Sequence, residues 1–228
     1  MVALVNELNH ISETLALSMG AAWGSGINLY ATVLMLGYLV HTGNIDLPPD
    51  LMILADPLVM GAAGLMYAVE FFADKIPGVD TGWDTLHTFI RIPAGAMLAA
   101  GAIGDIGPAV EISAALVGGG LAASTHATKA GSRVLINTSP EPFTNWTASI
   151  AEDIAVFVGI WASIQHPTFF VFALIIFILI MIWALPKLWK GIKRVFTFLG
   201  RLFGWSTEPD ISLSDTVPNL SDKPSKAD

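Results

Sequence analysis

The chain has 228 residues, of which 54% are hydrophobic and 13% are charged, and its net charge is −8. Soluble domains carry about 25% charged residues, so this composition excludes an ordinary soluble protein and indicates an integral membrane protein. The absence of cysteine excludes disulfides and thiolate metal sites. We expect the lipid bilayer as a partner, and neither a cofactor nor a nucleic acid.

The first 14 residues contain Glu7 and Glu13 and no basic residue. A secretory signal peptide begins with positive charge, so this segment is not a signal peptide. We predict a short interfacial helix over residues 1–14.

Six apolar segments follow, separated by stretches rich in glycine, proline and asparagine. Each is close to the 20 or so residues that a membrane-crossing helix needs. The predicted spans lie at about 15–40, 56–74, 81–104, 109–134, 144–165 and 167–186. The second begins with Asp56 and Pro57, a capping carboxylate followed by a proline in the first turn. The predicted fold class is all-α, a polytopic membrane helical bundle over residues 15–186 with halves at 15–105 and 108–186.

Basic residues set the predicted orientation. Five of them follow the sixth span, interleaved with aromatic residues: Lys187, Lys190, Lys193, Arg194 and Arg201. This pattern predicts a basic amphipathic helix over residues 187–205 on an anionic cytoplasmic leaflet, with both termini in the cytoplasm. The acidic segment 206–228 has no aromatic residue, and we expect it to be disordered.

A stripe of ionisable residues marks the third span. Asp80, Asp84, His87 and Arg91 follow one another at steps of four, three and four residues, which places them on one helix face. A charge at the bilayer centre costs roughly 2.5–3.5 kcal/mol even on the lenient insertion scale. The stripe therefore predicts protein partners or a water-filled cavity around it.

Other spans carry ionisable residues at a similar depth. They are Glu70 and Asp74 in span two, His126, Lys129 and Arg133 in span four, and Glu152 and Asp153 in span five. We predict that these groups share one polar basin in the inner half of the membrane, open to the cytoplasm. The alternatives are a purely structural ion-pair network and, for Lys129 and Arg133, simple anchoring at a helix end.

Two glycine-rich triplets lie near the midplane, at residues 24–26 of span one and 118–120 of span four. Glycine in a membrane helix either marks a break or permits close packing. The first reading makes spans one and four discontinuous, with Asn28 lining the gap, and suggests a 3+3 inverted repeat of the kind found in secondary transporters. The second reading is packing alone.

A metal site is a less specific interpretation. Asp84 and His87 share a helix face, and Glu70, His126 and Glu152 could complete an oxygen and nitrogen shell. The sequence has no paired-histidine motif, no nucleophile elbow and no phosphate-binding loop. Whether a metal binds stays open, and an enzyme is the less favoured class.

Two stretches resemble a family of small bacterial membrane proteins known as a domain of unknown function, DUF4126. They are VEFFADKIPGVDTGWDTLHTFIRIPAGA (69–96) and STHATKAGSRVLINTSPEPFTNW (124–146), followed by Ala151-Glu152-Asp153. The resemblance implies a multi-span protein of the bacterial inner membrane and brings no assigned activity. It places typical family residues at Glu70, Asp74, Asp80, Trp83, Asp84, His87, Arg91, Glu152 and Asp153.

We expect a small secondary transporter or ion-coupled permease, in which Asp84 and Glu152 bind the coupling proton or cation. His87 would relay the proton, and Arg91 would hold an acid ionised or bind an anionic substrate. The alternative is a non-transporting lipid-binding or assembly protein with a structural ion-pair network. The small ion or molecule that it carries is not specified by the sequence, and a lipid-facing sixth helix allows a homo-oligomer.

Overall fold

The computed structural model describes residues 1–138 and 142–202, apart from the side chains of four residues near the edges of those ranges. The helices are α1 (Val2–His41), α2 (Pro57–Ala73), α3 (Val79–Gly101), α4 (Pro108–Ile136), α5 (Pro142–Gln165) and α6 (Pro167–Leu202), with a short 3-10 helix at Pro49–Ala55. The described part of the chain contains no strand. The all-α prediction is confirmed.

The chain divides into two units, Met1–Ile192 and Lys193–Asp228. Residues 193–202 of the second unit are helical. The predicted disordered tail, 206–228, and the last residues of the predicted surface helix lie outside the described residues.

Most helices begin where the sequence supplies a start signal. Proline occupies the first position of α2, α4, α5 and α6, where its missing N–H breaks no helical hydrogen bond. The Asp56 carboxylate accepts a hydrogen bond from the backbone N–H of Leu58 at 2.8 Å, so the predicted start of this helix is confirmed. Before α3, Gly78 has φ of 87°, a left-handed conformation that glycine adopts without strain.

Helix α1 is the centre of the first unit and packs against α2, α3, α4 and α5. Its small side chains Ala16, Ala21 and Ala22 are completely buried. Small residues allow helix backbones to approach closely, which drives association in a membrane where lipid and leucine are equally apolar.

The predicted break in span four is wrong, because α4 runs without interruption through residues 118–120. Two of these glycines, Gly118 and Gly119, pack against α3 instead. A methyl group at Gly118 would lie 2.2 Å from the Cβ of Ala99, and one at Gly119 would lie 3.2 Å from the Cβ of Ala96. Span one does break, at Asn28, where the backbone has φ −148° and ψ 98°.

The N-terminal segment belongs to the same long helix as span one. α1 begins at Val2, and its first 14 residues are mostly exposed and continue directly into the buried part. The structure therefore shows no turn between the predicted interfacial helix and the span.

Three helices of the described chain are long and apolar enough to cross a membrane: α1, α5 and α6. The 3-10 helix and α2, bent by 64° to each other, would make a fourth if counted as one span. Helix α3 carries Asp80, Asp84 and Arg91, and α4 carries Glu111, Lys129 and Arg133, which lowers their hydropathy. The chain is a helical membrane protein; six spans stay a prediction.

The glycine contacts predict unequal effects of two neighbouring substitutions. Gly118→Ala should lower the free energy of unfolding by about 1–3 kcal/mol, because the new methyl group overpacks the interface with α3. Gly120→Ala is the matched control, since a methyl group there meets no atom within 4 Å, and it should be neutral or stabilising by up to about 1 kcal/mol. Thermal unfolding in detergent, followed by circular dichroism, measures both. Equal shifts would contradict this account of the glycines.

Candidate functional site

The side chain of Asn28 stabilises the break in α1. Its carbonyl oxygen accepts the N–H of Ala31 at 3.0 Å, and the Thr32 hydroxyl donates to its backbone oxygen at 2.9 Å. Asn28 is thus the N-cap of a second helical segment that ends at His41. In a continuous helix the Ala31 N–H would donate to Ile27, so the break releases the Ile27 carbonyl.

The ammonium group of Lys129 binds this released carbonyl. Its Nζ lies 3.1 Å from the Ile27 oxygen, 2.8 Å from Asp74 Oδ2 and 3.4 Å from Glu70 Oε1. Asp84 and Glu152 lie within 3.8 Å and 3.7 Å of the same nitrogen. Only 3% of the Lys129 side chain is exposed, so a single buried cation joins α1, α2, α3, α4 and α5.

Arg91 connects α3 to the same group. Its Nη2 donates to Glu70 Oε1 at 2.6 Å, and its Nη1 donates to Asp84 Oδ1 at 3.1 Å. Its side chain has no exposed surface. Breaking a buried ion pair is costly because the remaining charge stays desolvated, so Glu70 and Arg91 depend on each other.

The protonation state of His126 follows from its neighbours. The guanidinium of Arg91 can only donate, and its Nη1 lies 3.1 Å from His126 Nδ1, so Nδ1 accepts. The hydrogen of the imidazole is therefore on Nε2, which lies 3.0 Å from the backbone oxygen of Asp84 and 2.8 Å from the Thr88 hydroxyl. His126 is neutral in this arrangement.

Arg133 closes the network near the ends of α2 and α4. It donates to Glu152 Oε2 at 2.6 Å, to the backbone oxygen of Asp74 at 3.2 Å and to both the backbone and side-chain oxygens of Asn145. Its side chain is completely buried. A residue that only anchors a helix end in the interface would be exposed, so simple anchoring does not describe Arg133.

Asp153 is connected to these residues by Asn28, the residue at the helix break. Asn28 donates from Nδ2 to Asp153 Oδ1 at 3.0 Å, so one side chain both caps the second segment of α1 and contacts α5. We call the following residues the ionic cluster: Glu70, Asp74, Asp84, Arg91, Lys129, Arg133, Glu152 and Asp153.

The ionic cluster is short of positive charge. Among the described residues it contains five carboxylates and three cations, with His126 neutral, which leaves two negative charges uncompensated if every acid is ionised. Each of four buried acids also has one oxygen without a hydrogen-bond partner: Glu70 Oε2, Asp74 Oδ1, Asp84 Oδ2 and Asp153 Oδ2. Uncompensated buried charge is strongly unfavourable, so binding of protons or cations would stabilise the cluster by neutralising the excess negative charge.

Glu152 is the most exposed of the ion-paired cluster residues. Its side chain is 20% exposed, whereas those of the other ion-paired cluster residues are at most 4% exposed. Lys75 lies in the turn after α2 and donates to the backbone oxygen of Phe71 at 2.9 Å. Partial burial lowers the pKa of the Lys75 ammonium, and the nearby carboxylates of Asp153 and Asp74 oppose that shift.

Four predicted site residues are not members of the ionic cluster: Asn28 and His126 bond to it, whereas Asp80 and His87 have their partners elsewhere. Asp80 accepts hydrogen bonds from the backbone N–H groups of Gly78 and Thr81, at 2.9 Å and 2.6 Å, and from Asn137 at 2.8 Å. These bonds fix the start of α3. The spacing of the stripe predicted the helix face of Asp80 correctly. Asp80 lies one turn closer to the start of α3 than Asp84 does, and this keeps it away from the other acids.

His87 forms a separate aromatic group. Its Nδ1 donates to the backbone oxygen of Trp83 at 2.9 Å, its Nε2 lies 3.0 Å from the Tyr30 hydroxyl, and its ring stacks on Trp83 with centroids 4.4 Å apart. Tyr30 lies two residues beyond the α1 break, so its hydroxyl group connects His87 to the segment of α1 that follows the break. No sequence signal singled out Tyr30.

The side chains do not form a metal centre. Within the described ranges, no group of three or more histidine, aspartate and glutamate side chains is arranged to hold a metal ion. The nitrogen of His126 that faces the cluster already accepts from Arg91, and both nitrogens of His87 are bonded elsewhere.

The ion pairs predict that Glu70 is essential for stability. Glu70→Gln should lower the free energy of unfolding by about 3–5 kcal/mol, because Arg91 and Lys129 keep their buried charges and lose a shared partner. Glu111→Gln, at an exposed position of α4, is the control and should change it by no more than about 0.5 kcal/mol. Chemical unfolding in detergent measures the difference. If both variants were equally stable, the cluster would not carry the ion-pair energy assigned to it.

Comparison with known proteins gives one match. A family model described as a domain of unknown function, DUF4126, matches residues 15–187. No curated protein and no solved structure matches the chain. The matched range contains the break in α1 and every residue of the ionic cluster. The predicted resemblance is confirmed, and the chain belongs to the DUF4126 family.

Proposed function

We propose that this protein is a small secondary transporter, an ion-coupled permease, and that the ionic cluster is its ion-binding site. Ionisable residues buried in a membrane protein are costly and typically mark ion or proton pathways. Transporters place such sites where a helix is interrupted, so that unwound backbone and half-helix ends meet the ion.

One observation carries the proposal: the released Ile27 carbonyl and the Asn28 cap meet a cluster with more acids than cations. A network serving stability alone has no need of two uncompensated carboxylates. It also gains nothing from a broken helix at its centre, since a broken helix loses backbone hydrogen bonds.

The proposal includes the finer topology predicted from the sequence. Six spans with both termini in the cytoplasm of a bacterial inner membrane would put the exposed edge at Glu152 on the inner side. The 3+3 inverted repeat has less support, because α1 is interrupted and α4 is not.

In this function the acids nearest the cations exchange the coupling ion. Asp84 shares its Oδ1 with Arg91 and keeps Oδ2 free, and Glu152 faces the exposed edge beside Arg133. Arg91 would hold Asp84 ionised or bind an anionic substrate group. His87, through Tyr30, would tune the proton at the α1 break.

Flux into proteoliposomes under an imposed pH gradient tests the function, with candidate ions screened in turn. Asp84→Asn should abolish the flux, because the amide cannot release a proton, and should leave the protein folded, because Arg91 keeps its ion pair with Glu70. Asp105→Asn, in the exposed loop before α4, should transport like the unmodified protein. Normal flux with Asp84→Asn would remove Asp84 from the mechanism.

The alternative function is a non-transporting lipid-binding or assembly protein. The observation in its favour is an exposed basic stretch of α6, where Lys187 lies 3.0 Å above the Trp183 ring and Lys190 is exposed. Such a stretch suits an anionic lipid surface.

Deleting residues 187–228 separates the two functions. A permease should retain its pH-driven flux, because the ionic cluster ends at Asp153. A lipid-dependent assembly protein should lose its binding to vesicles that contain anionic lipid, measured by co-flotation, while the full chain shows no flux. Loss of flux on deletion, with the protein still folded, would contradict the permease as described.

A further inference from the structure

Asp153 differs from every other acid of the ionic cluster. Glu70, Asp74, Asp84 and Glu152 each lie within 3.1 Å of a lysine or arginine nitrogen. Asp153 has no ion pair among the described residues, although only 7% of its surface is exposed. Its Oδ1 accepts one bond from Asn28 and its Oδ2 accepts none.

Asp80 shows how this fold surrounds a buried aspartate with hydrogen-bond donors where it has no ion pair. Two backbone N–H groups, the Thr81 hydroxyl and the Asn137 amide donate to its oxygens at 2.6–3.3 Å. Several donors around one carboxylate favour its charged form. Asp153 has only the Asn28 amide and the Tyr67 hydroxyl as side-chain donors and no backbone N–H donor, so its surroundings replace less of the water that an anion needs.

The other charged groups near Asp153 do not remove this deficit. From α2 it faces Glu70, Asp74 and the Tyr67 hydroxyl, and from α4 the ammonium of Lys129, which five other oxygens already surround. Lys75 faces it from the turn after α2, where its ammonium donates to the Phe71 carbonyl at 2.9 Å and to the Ser149 hydroxyl at 3.5 Å and makes no ion pair with Asp153. Two of the nearest groups are acids, which disfavour a further negative charge.

We propose that Asp153 carries a proton in this structure and is a further residue, beside Asp84 and Glu152, at which the coupling proton binds and leaves. The first part follows from the geometry alone, and the second rests on the proposed transport function. A proton is favoured over a metal cation because the described side chains provide no three-ligand group. The proton would leave from Oδ2, the oxygen without a partner, and pass to water reached at the Glu152 edge.

Release of the proton would act directly on the break in α1. The new carboxylate charge strengthens the bond from Asn28 Nδ2 and faces the N-terminus of the second α1 segment, whose free N–H groups favour an anion. It also attracts Lys129, which now binds the Ile27 carbonyl. Movement of Lys129 toward Asp153 would free that carbonyl, so protonation of α5 and the conformation of α1 are coupled.

Infrared difference spectroscopy on the purified full-length protein tests the proton directly. The carbonyl band of a protonated carboxylic acid should be present at neutral pH and shift in heavy water. Asp153→Asn should remove a component of that band, and Asp105→Asn, at an exposed acid, should leave it unchanged. A band unaffected by Asp153→Asn, or no such band in the unmodified protein, would overturn the proposal.

Stability gives a second readout that needs no transport. Asn resembles a protonated aspartate in shape and charge, so Asp153→Asn should fold with an unchanged midpoint of thermal unfolding. Glu152→Gln, which leaves Arg133 without its partner, should lower the midpoint. If Asp153→Asn failed to fold while Glu152→Gln was stable, Asp153 would be the charged acid and the proposal would be wrong.

Flux separates the two parts of the proposal. If the protein transports, Asp153→Asn should lose the component driven by a pH gradient and keep the passive exchange of substrate. An Asp153→Asn variant that kept its full response to the gradient would exclude Asp153 as the coupling site. If the unmodified protein shows no flux, the transport function fails, and the infrared result alone decides whether Asp153 is protonated.

Discussion

The contact between the Lys129 ammonium and the Ile27 carbonyl is the interaction on which the arrangement depends. A carbonyl released inside a membrane protein needs a donor, and a lysine buried at 3% exposure needs acceptors. Each satisfies the other, and acids of three helices, α2, α3 and α5, complete the lysine's surroundings. The helix break and the buried charge therefore stabilise each other, and neither would persist alone.

Close packing of small residues brings the helices near enough for their charged side chains to meet. The glycines of α4 bring its backbone against α3, which carries Asp84 and Arg91, and Gly26 brings α1 against Ala122 and Thr125. Long charged side chains then reach one another across short interhelical distances. The apolar surface that remains, on α6 above all, faces outward, as expected for a bundle whose polar groups are inside and whose surroundings are lipid.

The helices and the clustering of charge were predictable because they follow from local spacing. The step of three and four residues placed Asp84 and Arg91 on one face, and proline marked the helix starts. The partners were not predictable, since spacing cannot show that Arg133 turns inward to Glu152 or that Asp80 is bound by Asn137. The glycine triplets illustrate the same limit: similar local sequences break α1 near Asn28 and pack in α4, and only the tertiary contacts distinguish them.

The tautomer of His126 imposes an order of events on any movement in the site. Its Nδ1 accepts from Arg91, so a proton can add there only after the guanidinium has withdrawn. Withdrawal of Arg91 would at the same time release Asp84 and Glu70. A doubly protonated imidazole cannot coexist with the present position of Arg91. Protonation of His126 on α4 and movement of Arg91 on α3 must therefore occur together.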